Sequence, residues 1–386
     1  MTRPMFTSRT RYAAAMRLER PDRVPLMCQP ALGFVLRQLP ELDPIDLWHN
    51  HGGAMARGFC EISRRFGFDG VLLPAVGAAA LDERTVLRID RTQPEGPVVY
   101  FKNGDSCLYC RNDLPRYTHA VPPERELGDL DPAAVAAQLS YHPPSTRLRM
   151  ALAPDPAGRV ADLTQARALV GPDVSVHGSL YSPEDYLIDL LGADGAMIAL
   201  LTEPERCRAL LAKFAHAVAG HAREQIAAGV DALNVSAPWV GQNFISPELH
   251  RDLIAPAQAV LVAAARAGGV PSYCHTCGAI GDRLEAIIDT GFDGVECLDP
   301  PPLGNVELAD AVRRIGDRAF IKGNIDPVHV LLQGTPAQIR ADVLARLEIG
   351  MTARGFILST ACAIAPDTPA AHVALLRELV DQYGRY

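Results

Sequence analysis

Residues 270–280 read VPSYCHTCGAI and put His275 and Cys277 two positions apart behind an apolar run. On an extended strand, positions i and i+2 share a face. This imidazole and this thiol therefore converge, while Cys274 and Thr276 point the other way. One more thiolate would complete a donor set suited to zinc, and three protein ligands leave a fourth position open, as at catalytic zinc. Cys362, in STACAIAPDTP, is the candidate for that third ligand. Two rival arrangements use some of the same residues: Cys107/Cys110 with Cys274/Cys277 as a four-Cys structural site, or Cys274/Cys277 alone as a redox pair. The first needs thiols that a strand turns to opposite faces, and the second needs a helix N-terminus. The plainest alternative leaves the thiols as small buried hydrophobes, which is the reading for Cys28, Cys60, Cys207 and Cys297.

The elements that must position these residues recur along the chain. Short β-rich runs stand at RVPLMCQ (23–29), DGVLLPA (69–75), DVSVHGSL (173–180), DALNVSAP (231–238), VPSYCHTCG (270–278), DGVECLDP (293–300), AFIKGNID (319–326) and GFILSTACA (355–363). Longer stretches with helical spacing separate them. Two of these open on Ser-Pro or Thr-Pro and close on Gly, which are helix start and stop signals. Eight such alternations predict a (β/α)8 TIM barrel, a single domain over 1–386. Residues 84–118 break the pattern. They alternate around PEG and KNGD turns and predict an antiparallel β excursion after the second strand.

In such a barrel the C-terminal strand ends face the active site. The polar residues there are His177, Asn234, Glu296, Asn324 and Asp326, beside His275 and Cys277. Glu296 is the candidate catalytic carboxylate, completing the coordination or moving a proton; a helix-capping or supporting role competes with it. Asn324 and Asp326 are candidates to orient a substrate, although NIDP also makes a good turn. His177 is a substrate-site candidate against a satisfied core histidine. Tyr181 and Tyr186 open a helix over the mouth, to touch substrate or only to pack.

Composition excludes several classes. The chain has 386 residues, 48% hydrophobic and 21% charged, with a formal net charge of −8. That balance argues against a nucleic-acid partner, which needs a concentrated basic face. No run reaches the roughly 18 apolar residues of a spanning helix. The N-terminal stretch has Arg throughout and no apolar core, so it does not read as a secretory leader. With nine irregularly spaced Cys, the expectation is a cytoplasmic protein with reduced thiols, and no membrane association.

Taken in order, RLERPDRVPL, GSLYSPEDYLIDLLG, HTCG, KGNIDP followed by GTP, and CAIAPDTP resemble the uroporphyrinogen decarboxylase superfamily along most of the chain. More narrowly, they resemble its zinc-dependent, corrinoid-linked methyltransferase branch. The resemblance implies a barrel fold and a zinc site built by an H-x-C pair and a distant Cys, matching His275, Cys277 and Cys362. It also implies methyl transfer between a corrinoid and a small thiol, methoxy, methylthio or methylamine compound. The chain lacks a D-x-H-x-x-G pattern that would present a histidine to cobalt. A cobalamin or other corrinoid would therefore come from a separate protein or from solution, and a homodimer is a candidate assembly. Decarboxylases of the superfamily carry an Arg-rich segment after the first strand and an Asp after the second. Here those positions read MCQPALGFVLRQL and LLPAVGAAAL, so a metal-free uroporphyrinogen decarboxylase-like lyase is the alternative expectation.

Overall fold

The computed structural model describes residues 6–74, 84–112, 114–121, 130–136 and 156–386, with positions 81 and 127. Its centre is a seven-stranded parallel sheet in the order β1 (Gly70–Leu72), β6 (Ser175–Tyr181), β7 (Ala232–Ser236), β8 (Ser272–Thr276), β9 (Gly294–Cys297), β10 (Phe320–Ile325) and β11 (Phe356–Thr360). Six sit inside predicted runs, and β6 runs one residue past its own, to Tyr181. Each neighbour pair is parallel, with β8 and β9 aligned so that His275 stands opposite Glu296. Strands β7 to β11 are almost wholly buried, as expected where helices cover a parallel sheet and the strands read as continuous apolar runs.

The first predicted strand, 23–29, is corrected. Its middle makes one parallel bridge, Leu26 to Leu358. Leu358 donates to the Pro25 carbonyl (2.9 Å), Met27 donates to Leu358 (3.1 Å) and Asp69 donates to Leu26 (2.7 Å). The segment thus bonds to the last strand on one side and to the residue before the first on the other. Pro25 has no N–H, and Pro30 lacks one at the far end, so a continuous ladder is not available.

Helices begin where the capping signals predict. Thr335 accepts from the Gln338 amide (3.3 Å) while the Gln338 side chain accepts from the Thr335 amide (2.8 Å), a reciprocal capping box ahead of the helix Pro336–Gly350. Ser246 caps Leu249 at the start of the next such segment. Caps of this kind are each worth about 1 kcal/mol.

The predicted excursion is a four-stranded antiparallel sheet, β2 (Val86–Asp90), β3 (Val98–Phe101), β4 (Ser106–Leu108) and β5 (Arg116–Thr118), paired in sequence order. Gly104, at φ +90°, makes the turn between β3 and β4 that KNGD predicts. The sheet is fastened to the main body through Tyr109, whose hydroxyl pairs with His49 Nε2 at 2.7 Å.

At the N-terminal end of the parallel sheet Asp69 is fully buried. Its carboxylate accepts from Ser8 (2.8 Å), Arg11 (2.8 Å), Arg23 (2.8 and 2.9 Å) and the Leu26 amide (2.9 Å). This locks the N-terminal helix Ser8–Met16 and the chain entry beneath β1. Among the described residues no helix is long and apolar enough to cross a membrane.

Candidate metal centre

At the opposite end, β8 carries His275 to its tip and the chain leaves the strand at Cys277. Cys277 Sγ lies 3.5 Å from His275 Nε2 and 3.7 Å from Cys362 Sγ, which arrives from the loop after β11, 85 residues away in sequence. Cys297 joins them: one donor atom from each of His275, Cys277, Cys297 and Cys362 lies within 4.8 Å of every other. A tetrahedral zinc with typical bond lengths would set S···S at about 3.8 Å and N···S at about 3.6 Å. The two measured spacings therefore match a metal-sized gap, and the donors are of the soft type that zinc takes.

Cys297 is the residue that sequence reasoning missed. It follows Glu296 on β9, so strict alternation sends it away from the mouth. Its backbone instead adopts φ +85°, followed by Leu298 at φ +54°, a region that residues with a Cβ seldom occupy. That turn brings the thiol back to the face it would otherwise leave. Nothing in DGVECLDP signals the reversal.

The cluster is oriented from below. Glu296 Oε2 pairs with His275 Nδ1 (3.2 Å) and accepts from Asn234 Nδ2 (2.7 Å), while Oε1 pairs with the Lys322 ammonium. An Nδ1–H donated to a carboxylate leaves the Nε2 lone pair facing the thiols, the arrangement that supports a metal-bound histidine. Burial alone would raise the Glu296 pKa; Lys322 and His275 reverse this and hold it at about 2. Lys322 was not among the sequence candidates. Its position on β10 makes it the neighbour of Glu296 in the sheet register, a pairing that only the strand order reveals. Hydrogen bonds from Cys277 and Cys297, with His275 nearby, draw the Cys362 thiol well below the ordinary thiol range, whereas burial pushes Cys297 up.

Beside His275 opens a cavity of about 430 Å³, lined at the strand ends by Leu72, Ser179, Tyr181, Asn234 and Ser236, and also by Trp48 and Phe59. Of the sequence candidates, Asn234 and Tyr181 reach it. His177 is fully buried deeper in the sheet, bonded to Ser175 Oγ and Tyr273 OH at 2.9 Å each. Tyr186 is buried against Phe214. Asn324 donates to the Leu298 carbonyl (2.9 Å) and accepts from Arg346. Asp326 accepts from the Val328 and His329 amides and from His329 Nδ1, each at 2.8 Å, as the cap of the next helical turn. Cys274 is buried in β8. Cys107 and Cys110 lie in and just beyond β4, with Cys110 against Arg116. The four-Cys rival is not assembled among the described residues.

The family model for uroporphyrinogen decarboxylase (URO-D) matches residues 154–383. The chain belongs to this family, and its relatives there divide between methyltransferases and decarboxylases. It is 28% identical over 217 residues to a methylcobamide:CoM methyltransferase of Methanosarcina barkeri, a match covering 56% of this chain and 61% of that protein. It is 28% identical over 287 residues to a uroporphyrinogen decarboxylase of Methylibium petroleiphilum, covering 72% of each. A methyltransferase structure from Methanosarcina mazei superposes with a TM-score of 0.72 at 22% identity, over 98% of this chain and 99% of that one, and so shares the fold.

Proposed function

We propose that the protein is a zinc-dependent methyltransferase, moving a methyl group between a corrinoid and a small molecule. In this reading the fold is a (β/α)8 barrel whose irregular eighth stave is the segment around Leu26. One observation carries the proposal: His275, Cys277 and Cys362 stand at tetrahedral spacings, 3.5 and 3.7 Å, at the C-terminal rim of the sheet. When bound there, zinc supplies Lewis acidity at neutral pH without redox chemistry.

The chain's own residues do the rest. His275, Cys277 and Cys362 hold the ion, with Cys297 near enough to serve as a fourth donor when no substrate is bound. Glu296 acts through His275 and is a positioning residue: it fixes the tautomer, and Lys322 keeps it ionised. Tyr181 and Asn234 face the cavity that opens beside His275 and would meet a bound substrate. A corrinoid carried by a separate protein is part of the same reading, which the similarity to a methylcobamide:CoM methyltransferase supports. The decarboxylase relatives favour a second reading, a metal-free lyase, in which the cluster of thiols around His275 has no task.

The test is metal content. Purified protein should carry about one zinc per chain, lost in His275→Ala, Cys277→Ser and Cys362→Ser and retained with weaker affinity in Cys297→Ser. Wild-type protein without zinc after reconstitution would overturn the reading.

A further inference from the structure

The sulfurs of Cys277 and Cys362 lie 3.7 Å apart, a non-bonded contact, where a disulfide holds its sulfurs at about 2.05 Å. The gap left to close is about 1.6 Å. Neither residue belongs to the ladder that fixes the strands. Cys277 follows β8, which ends at Thr276, and Cys362 lies two residues beyond β11, which ends at Thr360. Both thiols are half-buried and so open to a small solute. Cys297 differs on each count. It is buried, and its place in β9 is paired with Thr276 on one side and Gly323 on the other. The other six cysteines are all buried.

We infer that Cys277 and Cys362 form a peroxide-sensitive pair, oxidised reversibly to a disulfide that empties the metal centre. The inference rests on the zinc reading for the ion and on the sulfur spacing for the bond. A thiolate is both the metal ligand and the nucleophile, so the electrons that hold the ion are those that reduce the oxidant. One sulfur attacks an oxygen of hydrogen peroxide: an S–O bond forms, the O–O bond breaks, and the departing hydroxide takes a proton and leaves as water. The second sulfur then attacks the first. The S–S bond forms, the S–O bond breaks, and a second water leaves. In sum two thiolates lose two electrons, and one peroxide with two protons from solvent becomes two waters. Neither sulfur is then a thiolate, so two of the three proposed protein ligands are gone and the ion is released. A second thiol this close also stops the first from going on to irreversible sulfinic acid. A dithiol reductant returns both thiolates by exchange, and the site refills when zinc is supplied.

A peroxide titration tests this. Protein purified under reducing conditions, with its metal as isolated, is freed of reductant without oxygen and given hydrogen peroxide in small steps. Released zinc is followed with a chromogenic chelator, thiols are counted after denaturation, and alkylated peptides are mapped by mass spectrometry. Free thiols should fall from the nine of the sequence to seven. The crosslink should join Cys277 to Cys362, with about one zinc released per disulfide formed. Dithiothreitol with added zinc should restore both counts. Cys297→Ser, which leaves the pair intact, should give the same crosslink. A crosslink that uses Cys297, or sulfinic acid at Cys277 in place of a crosslink, would overturn the proposal. So would zinc retained in full beside the completed disulfide. The two readings fail separately. A Cys277–Cys362 crosslink in protein that never holds zinc would keep the oxidisable pair and remove the metal centre. Bound zinc that peroxide leaves in place, with all nine thiols free, would keep the metal centre and remove the pair.

Discussion

Two buried carboxylates stand at opposite ends of the same parallel sheet, and they are finished differently. Asp69, below β1, has both oxygens filled by Ser8, Arg11, Arg23 and the Leu26 amide. Every donor in that network finds its acceptor inside the protein, and the product is a fastening. Glu296, near the tip of β9, is filled as completely by Asn234, His275 and Lys322, but one of its partners has a second nitrogen. His275 Nε2 faces the sulfurs of Cys277, Cys297 and Cys362, 3.5 Å from the first, beside an open cavity. A saturated network stabilises; one that ends on a lone pair among thiols is ready to bind something. Where the network ends, on buried partners or on metal-type donors beside a cavity, separates the structural site from the functional one.

The largest expected effect lies at the closed end. Asp69→Asn should cost roughly 3–5 kcal/mol of stability, since two guanidinium groups lose their buried counter-charge, while zinc per chain stays unchanged. Chemical denaturation beside metal analysis checks both halves, and a loss of zinc in the folded variant would break the contrast. At the open end, Glu296→Gln should lower zinc affinity by roughly 10- to 100-fold, because His275 loses the charged acceptor that fixes its tautomer. Competition with a chelator reads this out. An affinity equal to wild type would show that His275 is oriented without its carboxylate.

The smallest effect concerns a histidine that belongs to neither network. Burial, with Lys322 nearby, holds His177 neutral with a pKa of about 3, against 6.5 for a free imidazole. Between those values the unfolded chain binds a proton that the folded chain refuses. His177 therefore lowers stability as the pH falls through that window, by about 2 kcal/mol near pH 5, and has no effect above it. In His177→Gln this part of the acid slope should vanish. Identical slopes in variant and wild type would remove His177 from the account of acid sensitivity.

Much of this was legible in the chain. Strand and helix positions follow from local rules: apolar runs, Ser-Pro and Thr-Pro starts, Gly stops and the KNGD turn. Each is decided within a few residues, and seven of the eight predicted strands lie in the main sheet. The pairing of His275 with Cys277 was legible too, because strand geometry has a fixed period. Four placements were not. His177 and Asn324 carry the same side chains whether they face a cavity or a buried partner, and only packing chose the partner. Lys322 gains its meaning from Glu296 on the adjacent strand. Cys297 reaches the cluster against the period of its own strand, through a positive φ that its neighbours impose.

The sequence by itself determined that His275, Cys277 and Cys362 could bind a metal and where most of the elements lie, since propensity, capping and period act over short range. The tertiary structure decided which donors meet. It carries Cys362 across 85 residues to within 3.7 Å of Cys277, sets Lys322 beside Glu296, and leaves a cavity beside His275. Those distances are properties of the packing of the whole sheet, which forms only when every strand has found its neighbours.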